Sequence, residues 1–274
     1  MVKRNGERRW HRQAMVHLGE QKKETRRKEL LAEIFGDPGI MIRDLAEKLN
    51  VSRETIRRDL DALCARGELQ RRYGGAVFTP VGNILSFDAR QDRHIPERRA
   101  IAAKAHDLLQ DNQVIMLGPG TTALLFATEL ATTEKQLTVI TNGLREALTL
   151  AGNDRLRVVL APGELDRLEG FAWGQDTSDF LSRFNADLAI VFADGLSLEG
   201  VSEADPRTVW TIKTMIKQSA ENMLLIDHHR FGRQGLQKIC ELGDIDMVVS
   251  DRAPGPPLAA ALSEKGIALH LAEF

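Results

Sequence analysis

The feature that most constrains the fold is a regular alternation of short apolar runs with helical segments from residue 97 onward. Runs such as VIML, LTVIT and ADLAIVFADG have the length of buried strands, and segments with helical periodicity separate them. Strands that are buried on both faces and joined by helices form a largely parallel sheet with helices on each side. The sequence therefore predicts an α/β domain over residues 97–274.

Several of the predicted strands end in polar residues. These residues are Gly118 to Thr122, Asn142, Asp194, and Asp227 with Arg230. Because ligands of parallel sheets bind beyond the carboxyl ends of the strands, the residues are predicted to share one edge of the sheet. An isolated aspartate at a strand end is more often a turn former or a helix cap, and that alternative stays open for Asp194 and Asp227.

The first of these turns, GPGTT at residues 118–122, is a candidate phosphate site. Gly118 and Gly120 let the backbone approach a ligand, and the following helix offers unpaired N–H groups at its positive end. The hydroxyls of Thr121 and Thr122 add donors. The turn lacks the lysine of a P-loop and the spacing of a dinucleotide fingerprint, so no nucleotide cofactor is predicted. A tight corner without a ligand is the alternative.

No metal site is predicted. His228 and His229 are adjacent and would face opposite ways along an extended chain, and no third ligand lies nearby in sequence. The cysteines, Cys64 and Cys240, have no metal-ligand spacing and are expected to be inert thiols of a cytoplasmic protein. The chain has no secretory signal pattern and no apolar run near the ~20 residues of a membrane span, so no membrane partner is expected.

Three short helical patterns precede the α/β region: KKETRRKELLAEIFG, IMIRDLAEKLN and RETIRRDLDALCARG. Ser52 can cap the third helix, and Gly67 ends it. The second and third patterns are joined by the tight turn LNVS, which predicts a helix-turn-helix. The segment ELQRRYGGAVF is typical of a small hairpin, so residues 23–78 are predicted to form a winged helix-turn-helix domain.

The third pattern indicates a recognition helix. Ile56, Leu60 and Leu63 face a core, so the polar residues between them project outward near the N-terminal end, where such a helix meets base edges and phosphates. Arginines of the hairpin can contact the phosphate backbone. A merely solvated charged face is the alternative. The predicted DNA contacts are Ser52, Arg53, Thr55, Arg57, Arg58, Arg71 and Arg72.

The charge distribution favours DNA binding. Residues 1–78 hold 18 Lys and Arg against 12 Asp and Glu, a net charge of +6, whereas the remaining 196 residues hold 19 against 27, a net charge of −8. A basic N-terminal region joined to an acidic remainder of the chain indicates that the N-terminal region binds a polyanion. Residues 1–22 are basic without apolar periodicity and are predicted to be a flexible extension. Residues 79–96, with their prolines and glycine, are predicted to be a linker.

The segments DLAEKLNVS, TIRRDLDAL and RRYGGA occur in the order and spacing of the DeoR-type bacterial transcriptional regulators, which the chain resembles. The resemblance continues through GPGTT, VITNGL, LAIVFADGLSLEGVS and LLIDHHRFGR and covers roughly residues 23–252. It implies a sensor domain similar to the sugar-phosphate isomerase fold, including ribose-5-phosphate isomerase, with phosphate near residues 118–122. It also implies that the sugar pocket is lined by Asn142, Asp194, Lys213, Asp227 and Arg230. Arg230 stands where the family usually has lysine, which keeps the charge and changes its geometry.

The resemblance implies a regulator rather than an enzyme. Related isomerases carry acidic residues just after the Asp-Gly of this region, where the chain has Leu196 and Ser197, and Glu199 and Glu203 lie outside the matching position. Because an isomerase needs a positioned base and acid, the alternative of an isomerase with a basic appendage is disfavoured, and no catalytic residue is predicted. The expected function is a cytoplasmic repressor of a sugar or sugar-derivative catabolic operon. We expect it to bind double-stranded operator DNA as a homo-oligomer and to respond to a phosphorylated sugar-type effector.

Overall fold

The computed structural model describes residues 23–31, 33–34, 41–65, 69–71, 78–80 and 87–273, so the predicted extension at residues 1–22 lies outside the described residues. The backbone divides into two compact units, residues 1–85 and 86–274. No helix in the described ranges has the length and apolar character needed to cross a bilayer.

The described part of the N-terminal unit contains three helices and a strand pair, as the sequence predicts. The helices are α1 (residues 23–31 and 33–34), α2 (Ile42–Lys48) and α3 (Arg53–Ala65). The strands β1 (Leu69–Arg71) and β2 (Phe78–Pro80) pair antiparallel, which gives the predicted hairpin its two sides. This unit is therefore a winged helix-turn-helix domain.

The turn between α2 and α3 is tight because Asn50 adopts a left-handed conformation with φ of 50°. Asparagine enters this region more readily than most side chains do. The N–H of Val51 donates to the carbonyl of Ala46 at 3.0 Å, which closes the end of α2 as in a Schellman motif. Oγ of Ser52 then accepts from the N–H of Thr55 at 3.1 Å, so Ser52 caps α3.

The core of this unit is built from all three helices. Its most buried side chains, each 0–1% exposed, are Leu30, Ile34, Leu45, Ile56, Leu60 and Leu63. Asp59 lies on the same face of α3, and its carboxylate accepts from Nε of Arg26 at 2.7 Å and from Nε of Arg27 at 3.0 Å. These bonds join α1 to α3 and neutralise a buried carboxylate that would be costly alone.

The C-terminal unit alternates helices and strands. In chain order they are α4 (Phe87–Gln91), α5 (Ile95–Asp107), β3 (Val114–Leu117), α6 (Thr121–Leu130), β4 (Leu137–Thr141), α7 (Leu144–Leu150), β5 (Leu156–Leu160), β6 (Glu164–Asp166), β7 (Phe171–Trp173), α8 (Gln175–Leu181), β8 (Ala186–Phe192), β9 (Gly195–Ser197), β10 (Gly200–Glu203), α9 (Pro206–Lys217), β11 (Ser219–Leu225), β12 (Gln237–Cys240), β13 (Met247–Ser250), α10 (Pro256–Glu264) and β14 (Ala268–Leu271). Seven strands form one parallel sheet in the order β14-β13-β11-β8-β3-β4-β5. The predicted parallel α/β architecture is confirmed.

The sheet is covered on both faces, because neighbouring residues of one strand enter different apolar clusters. Met116 of β3 belongs to a buried cluster with Ala189 and Leu224, whereas Ile115 and Leu117 belong to a second cluster. Alternate side chains of a strand point to opposite faces, so each cluster is the core on one side. The ends of the strands, rather than the faces of the sheet, are therefore available to a ligand.

The structure adds three features that the apolar pattern does not predict. Residues 87–91 of the predicted linker form α4, Phe87 is buried there, and α5 already begins at Ile95. The strands β6 and β7 form an antiparallel hairpin. The strands β12, β10 and β9 form a second antiparallel sheet. These stretches are short, and strand formation in short segments depends on the neighbours they pack against more than on their own sequence.

Candidate functional site

The helix α3 presents a charged face opposite the core. Arg53, Arg57 and Arg58 are exposed on its first two turns. Positions 53 and 57 are one helical turn apart, so their side chains are neighbours on the helix surface. Arg71 lies in β1, and Arg72 lies outside the described residues. The predicted recognition face of α3 is thus free of packing against the core of its own unit.

Three of the predicted DNA contacts already interact within α3. Ser52 caps the helix, and its Oγ lies 2.9 Å from Oγ1 of Thr55, so both hydroxyls are held at the N-terminal end. Nε of Arg58 donates to Oε1 of Glu54 at 3.2 Å. Both of those side chains are exposed, and an exposed ion pair of this kind is worth so little that a phosphate can displace Glu54.

The parallel strands bring most of the predicted effector residues to one edge of the sheet. Gly118 follows β3, Asn142 follows β4, Asp194 comes two residues after β8, and Asp227 comes two residues after β11. These four strands are neighbours in the order β11-β8-β3-β4. The residues therefore lie along the carboxyl edge of the sheet, where ligands of this architecture bind.

The turn after β3 leads directly into the N-terminus of α6. The N–H of Gly118 donates to the carbonyl of Ile190 at 3.0 Å, which fixes the turn against β8. Gly120 caps α6 with φ of 138°, a conformation that residues with side chains rarely adopt. Thr121 and Thr122 begin the helix, so their N–H groups have no intrahelical acceptor and are available to an anion.

Arg98 of α5 is a cation at this turn that the sequence prediction missed. Its Nε donates to Oγ1 of Thr122 at 3.1 Å, and its Nη1 donates to the carbonyls of Arg90 at 2.9 Å and Arg93 at 2.8 Å. Its Nη2 is buried and has no hydrogen-bond partner within the described residues. Burial lowers the pKa of Arg98 to about 10, which still leaves the guanidinium charged at neutral pH. A buried charged donor with an open position suits an anionic ligand.

A buried carboxylate also lies at the turn. Oε1 of Glu146, from α7, accepts from the N–H of Gly120 at 3.1 Å. Burial raises the pKa of Glu146 to about 7, although two backbone hydrogen bonds act in the other direction. A Cβ on Gly143 would lie 2.1 Å from Oε2 of Glu146, so a side chain at 143 would displace this carboxyl group from its present position. Glu146 thus occupies one backbone donor of the candidate phosphate turn.

We expect Glu146→Gln to remove a pH-dependent loss of stability. The carboxyl group of the folded protein has a pKa of about 7, above its ordinary value of 4.5, so the folded state loses stability as the pH rises from about 4.5 to 7. The full loss corresponds to about 3 kcal/mol. Glutamine stays neutral and keeps an acceptor for the Gly120 N–H, so the free energy of unfolding should fall less in this variant.

Urea unfolding followed by tryptophan fluorescence at pH 5 and pH 8 measures this difference. Glu264→Gln, at an exposed position of α10, is the matched control and should unfold like the native protein at both pH values. Equal losses of stability in the native protein and in Glu146→Gln would show that Glu146 is ionised in the folded state throughout this range.

Asn142 is fully buried at the end of β4. Its Nδ2 donates to the carbonyl of Ala172 at 2.8 Å, which ties β4 to the hairpin of β6 and β7. Its Oδ1 is buried without a hydrogen-bond partner within the described residues. An unpaired buried acceptor costs about 1–3 kcal/mol, so this atom is suited to accept from a hydroxyl group.

Arg230 brings the two predicted aspartates together. Its Nη1 contacts Oδ1 of Asp194 and donates to the carbonyl of Ala193 at 3.2 Å, and its Nε lies 3.4 Å from Oδ2 of Asp227. Although burial acts to lower it, the charges of the two aspartates raise the pKa of Arg230. The guanidinium therefore stays charged and holds both carboxylates in place.

Glu203 is a fourth member of this group. The β9–β10 hairpin turns the chain back, and Glu203 forms a side-chain hydrogen bond with Asp194. Burial and the charge of Asp194 raise the pKa of Glu203 well above its ordinary value. Although burial acts to raise it, the Glu203 hydrogen bond and Arg230 lower the pKa of Asp194, so Glu203 carries the proton. The sequence places Glu203 outside the position that matches the acidic residues of the isomerases, and the pairing of β9 with β10 shows how it reaches Asp194. We call Asp194, Glu203, Asp227 and Arg230 the arginine–carboxylate cluster.

Both units match known domains. Residues 26–80 match the family model of the DeoR-like helix-turn-helix domain, and residues 93–252 match that of the DeoR C terminal sensor domain. The chain belongs to the DeoR family. It is 30% identical over 251 residues to the glycerol-3-phosphate regulon repressor of Escherichia coli K12, a match that covers 91% of this chain and 99% of that protein. It is 33% identical over 213 residues to the lactose phosphotransferase system repressor of Staphylococcus epidermidis, which covers 76% of this chain and 84% of that protein.

The DeoR family match decides between the two functions that the sequence left in competition. The protein is a DNA-binding transcriptional regulator with an effector-sensing domain, and the isomerase alternative is set aside.

Among solved structures, ribose 5-phosphate isomerase A of Methanocaldococcus jannaschii is 20% identical over 49% of this chain and 53% of that chain, with a TM-score of 0.37.

The DeoR sensor domain does not bring Lys213 to the other predicted effector residues. Nζ of Lys213, on α9, is 5.6 Å from the centroid of the Trp210 ring. Lys213 also lines a cavity of about 360 Å³ together with Asn222 and Cys240. No contact found among the described residues joins it to the arginine–carboxylate cluster, so Lys213 belongs to a different surface of the domain.

His228 and His229 differ from the expectation for an extended chain. Residues His228–Arg230 form a 3₁₀ turn, so the two rings lie side by side with centroids 3.9 Å apart. His228 is fixed by Asp251, whose Oδ1 accepts from the His228 N–H at 2.8 Å and whose Oδ2 contacts Nδ1 of the ring. The premise that these adjacent histidines face apart is therefore wrong.

Proposed function

We propose that this DeoR-family protein represses a sugar or sugar-derivative catabolic operon and releases double-stranded operator DNA when its sensor domain binds a phosphorylated sugar-type effector. The names of two relatives support the class of target, because one is the repressor of a glycerol-3-phosphate regulon and the other of a lactose phosphotransferase system. The protein would act in the bacterial cytoplasm and be associated with the nucleoid while it is bound to its operator.

The proposed DNA contacts come from the N-terminal end of α3. Arg53, Arg57 and Arg58 are exposed there and can reach base edges and phosphates in a major groove. The helix cap at Ser52 and Thr55 supports this end of α3. Arg71 of β1 and its sequence neighbour Arg72, which lies outside the described residues, are proposed to contact the phosphate backbone.

The single observation that carries the proposed effector class is the unpartnered Nη2 of Arg98 beside the turn at residues 118–122. A phosphate at this turn would accept from Nη2, from the Thr122 hydroxyl and from the N–H groups of Thr121 and Thr122, which have no acceptor within α6. Gly118 and Gly120 carry no side chains that would block its approach to the backbone. A buried guanidinium binds a phosphate more strongly than a solvated one does, because water does not screen the charge.

The sugar hydroxyls are proposed to bind the acceptors at the same edge of the sheet. Oδ1 of Asn142 lacks a partner within the described residues, and the carboxyl groups of Asp194 and Asp227 lie beside Arg230. Carboxylates and amide oxygens accept hydrogen bonds from hydroxyl groups. Lys213, which lies on another surface, is left out of this pocket.

Release of DNA is proposed to follow from the quaternary arrangement. A homo-oligomer would place paired recognition helices on repeated half-sites, and the effector would favour an arrangement with unsuitable helix spacing. Because binding free energies are linked, operator DNA must weaken effector binding by the same factor.

Gel-shift titration of the DNA upstream of the neighbouring genes tests this proposal. We expect full-length protein to bind this DNA and to release it with one or more sugar phosphates, while the matching unphosphorylated sugars have no effect at the same concentrations. Glycerol 3-phosphate is one of the compounds to include, with inorganic phosphate as the probe for the anion alone. DNA binding that no phosphorylated compound changes would disprove the sensing part, and an equal response to the unphosphorylated sugars would disprove the role given to phosphate.

A further inference from the structure

A second group of side chains lies at the carboxyl edge of the sheet. The ligand atoms of His94, Glu97 and His229 all lie within 4.8 Å of one another. His94 and Glu97 lie at the start of α5, whereas His229 lies in the 3₁₀ turn after β11, so the fold assembles the group from two distant segments. Within the described residues, no side-chain hydrogen bond engages any of the three.

We propose that His94, Glu97 and His229 bind one divalent transition-metal ion of the zinc type. Two imidazole nitrogens and one carboxylate oxygen are a ligand set that suits zinc and its neighbours in the first transition row. Calcium and magnesium instead prefer sites made of oxygen ligands. The three residues are distinct from those proposed to hold the sugar phosphate, and metal binding can be measured without any effector.

The backbone at His94 supports a ligand role. His94 has φ of 51°, a left-handed conformation that is uncommon outside glycine, although histidine adopts it more readily than most residues do. It stands at the N-cap of α5, yet its side chain makes no capping hydrogen bond. Such a conformation costs of order 1–3 kcal/mol and persists where the surroundings impose it, often at ligand sites. Here it places the His94 ring against the His229 ring, with centroids 4.0 Å apart.

The position of His229 is fixed by its contacts with His228 and Asp227. Its ring lies against the ring of His228, which Asp251 holds through both the backbone and the side chain. The backbone N–H of His229 donates to Oδ1 of Asp227 at 3.1 Å. A ligand that is held before the metal arrives loses less conformational freedom on binding.

The three side chains must close around the ion when it binds. A tetrahedral ion with bonds of about 2.0 Å separates its ligand atoms by roughly 3.3 Å. The ligand atoms now lie within 4.8 Å of one another, so metal binding requires side-chain rotation that brings them closer. Three protein ligands leave one position for water or another small ligand.

Zinc titration of the full-length protein tests the site. After removal of metals with a chelator, the protein should take up one zinc ion per chain in competition with a chromophoric chelator. His94→Ala and His229→Ala should each weaken binding by at least about tenfold, the lower end of the effect of removing even an indirect partner of a metal ligand. His106→Ala is the matched control: His106 lies on α5 too, but its Nε2 lies 2.9 Å from Oγ1 of Thr133, outside the group.

X-ray absorption of the zinc-loaded native protein supplies a readout that does not depend on any variant. We expect two imidazole ligands and at least one oxygen ligand. The absence of stoichiometric binding, or a spectrum with fewer than two imidazoles, would overturn the proposal. So would binding that is the same in the native protein, His94→Ala and His229→Ala, a result that would point to His11 and His17 in the N-terminal segment.

Discussion

The double variant Arg57→Ala plus Arg58→Ala is expected to lose operator binding while the fold of both units stays intact. Each arginine that contacts a base edge contributes about 1–3 kcal/mol, so the loss of both should lower operator affinity by roughly a factor of 30 or more. Both side chains are exposed on α3, and neither contributes to the core of the N-terminal unit. Substitutions of this kind change stability little.

Fluorescence anisotropy with a labelled operator over a range of salt concentrations measures the effect. Arg155→Ala plus Arg157→Ala changes two exposed arginines, one just before β5 and one within it, removes the same charge from the other unit and should bind operator normally. Arg57→Lys plus Arg58→Lys keeps the charge and removes the planar guanidinium, so it should retain nonspecific DNA binding and lose preference for the operator. Native operator affinity in the alanine pair would mean that another element reads the DNA.

The strands of the main sheet were predictable because strands that are buried on both faces appear in the sequence as short continuous apolar runs. The runs VIML and LTVIT coincide with β3 and β4, and the turn residues after them are polar or glycine. The order of the strands could not be predicted in the same way. The strand β8 lies between β3 and β11, and no local sequence pattern specifies which strands are neighbours. The contact between Glu203 and Asp194 has no local sequence signal either, because Glu203 reaches Asp194 only through the pairing of β9 with β10.

The burial of Arg98 could have been predicted from the apolar periodicity of α5. On α5 it precedes Ile101, Ala102 and Ala105 by three, four and seven residues, so it lies on the buried stripe of the helix. An arginine at such a position must find partners or a ligand, because an unpaired buried charge is costly. His229 carried no comparable signal, because its approach to His94 depends on a 3₁₀ turn and on a left-handed residue that its own neighbourhood does not predict.

Replacing Arg98 by methionine is expected to remove most of the affinity of the sensor domain for a phosphorylated ligand. Hydrogen bonds to charged groups are worth about 1.5–3 kcal/mol, so the loss of the Nη2 donor alone should weaken binding by roughly 10- to 100-fold. Methionine keeps an unbranched apolar stem on the buried face of α5. Arg98→Lys keeps the charge but cannot bridge Thr122 and the carbonyls of Arg90 and Arg93 together, so it should have intermediate affinity.

The measurement is the rise in melting temperature that inorganic phosphate or an active sugar phosphate gives to each full-length protein. Arg99→Met, at the adjacent exposed position of α5, is the matched control and should respond like the native protein. If Arg98 had only a structural role, Arg98→Met would melt at a lower temperature than the native protein without ligand. Phosphate would then raise the melting temperature of both proteins by the same amount. That outcome would place the anion elsewhere, because a guanidinium that binds phosphate cannot be removed without reducing the stabilisation that phosphate confers.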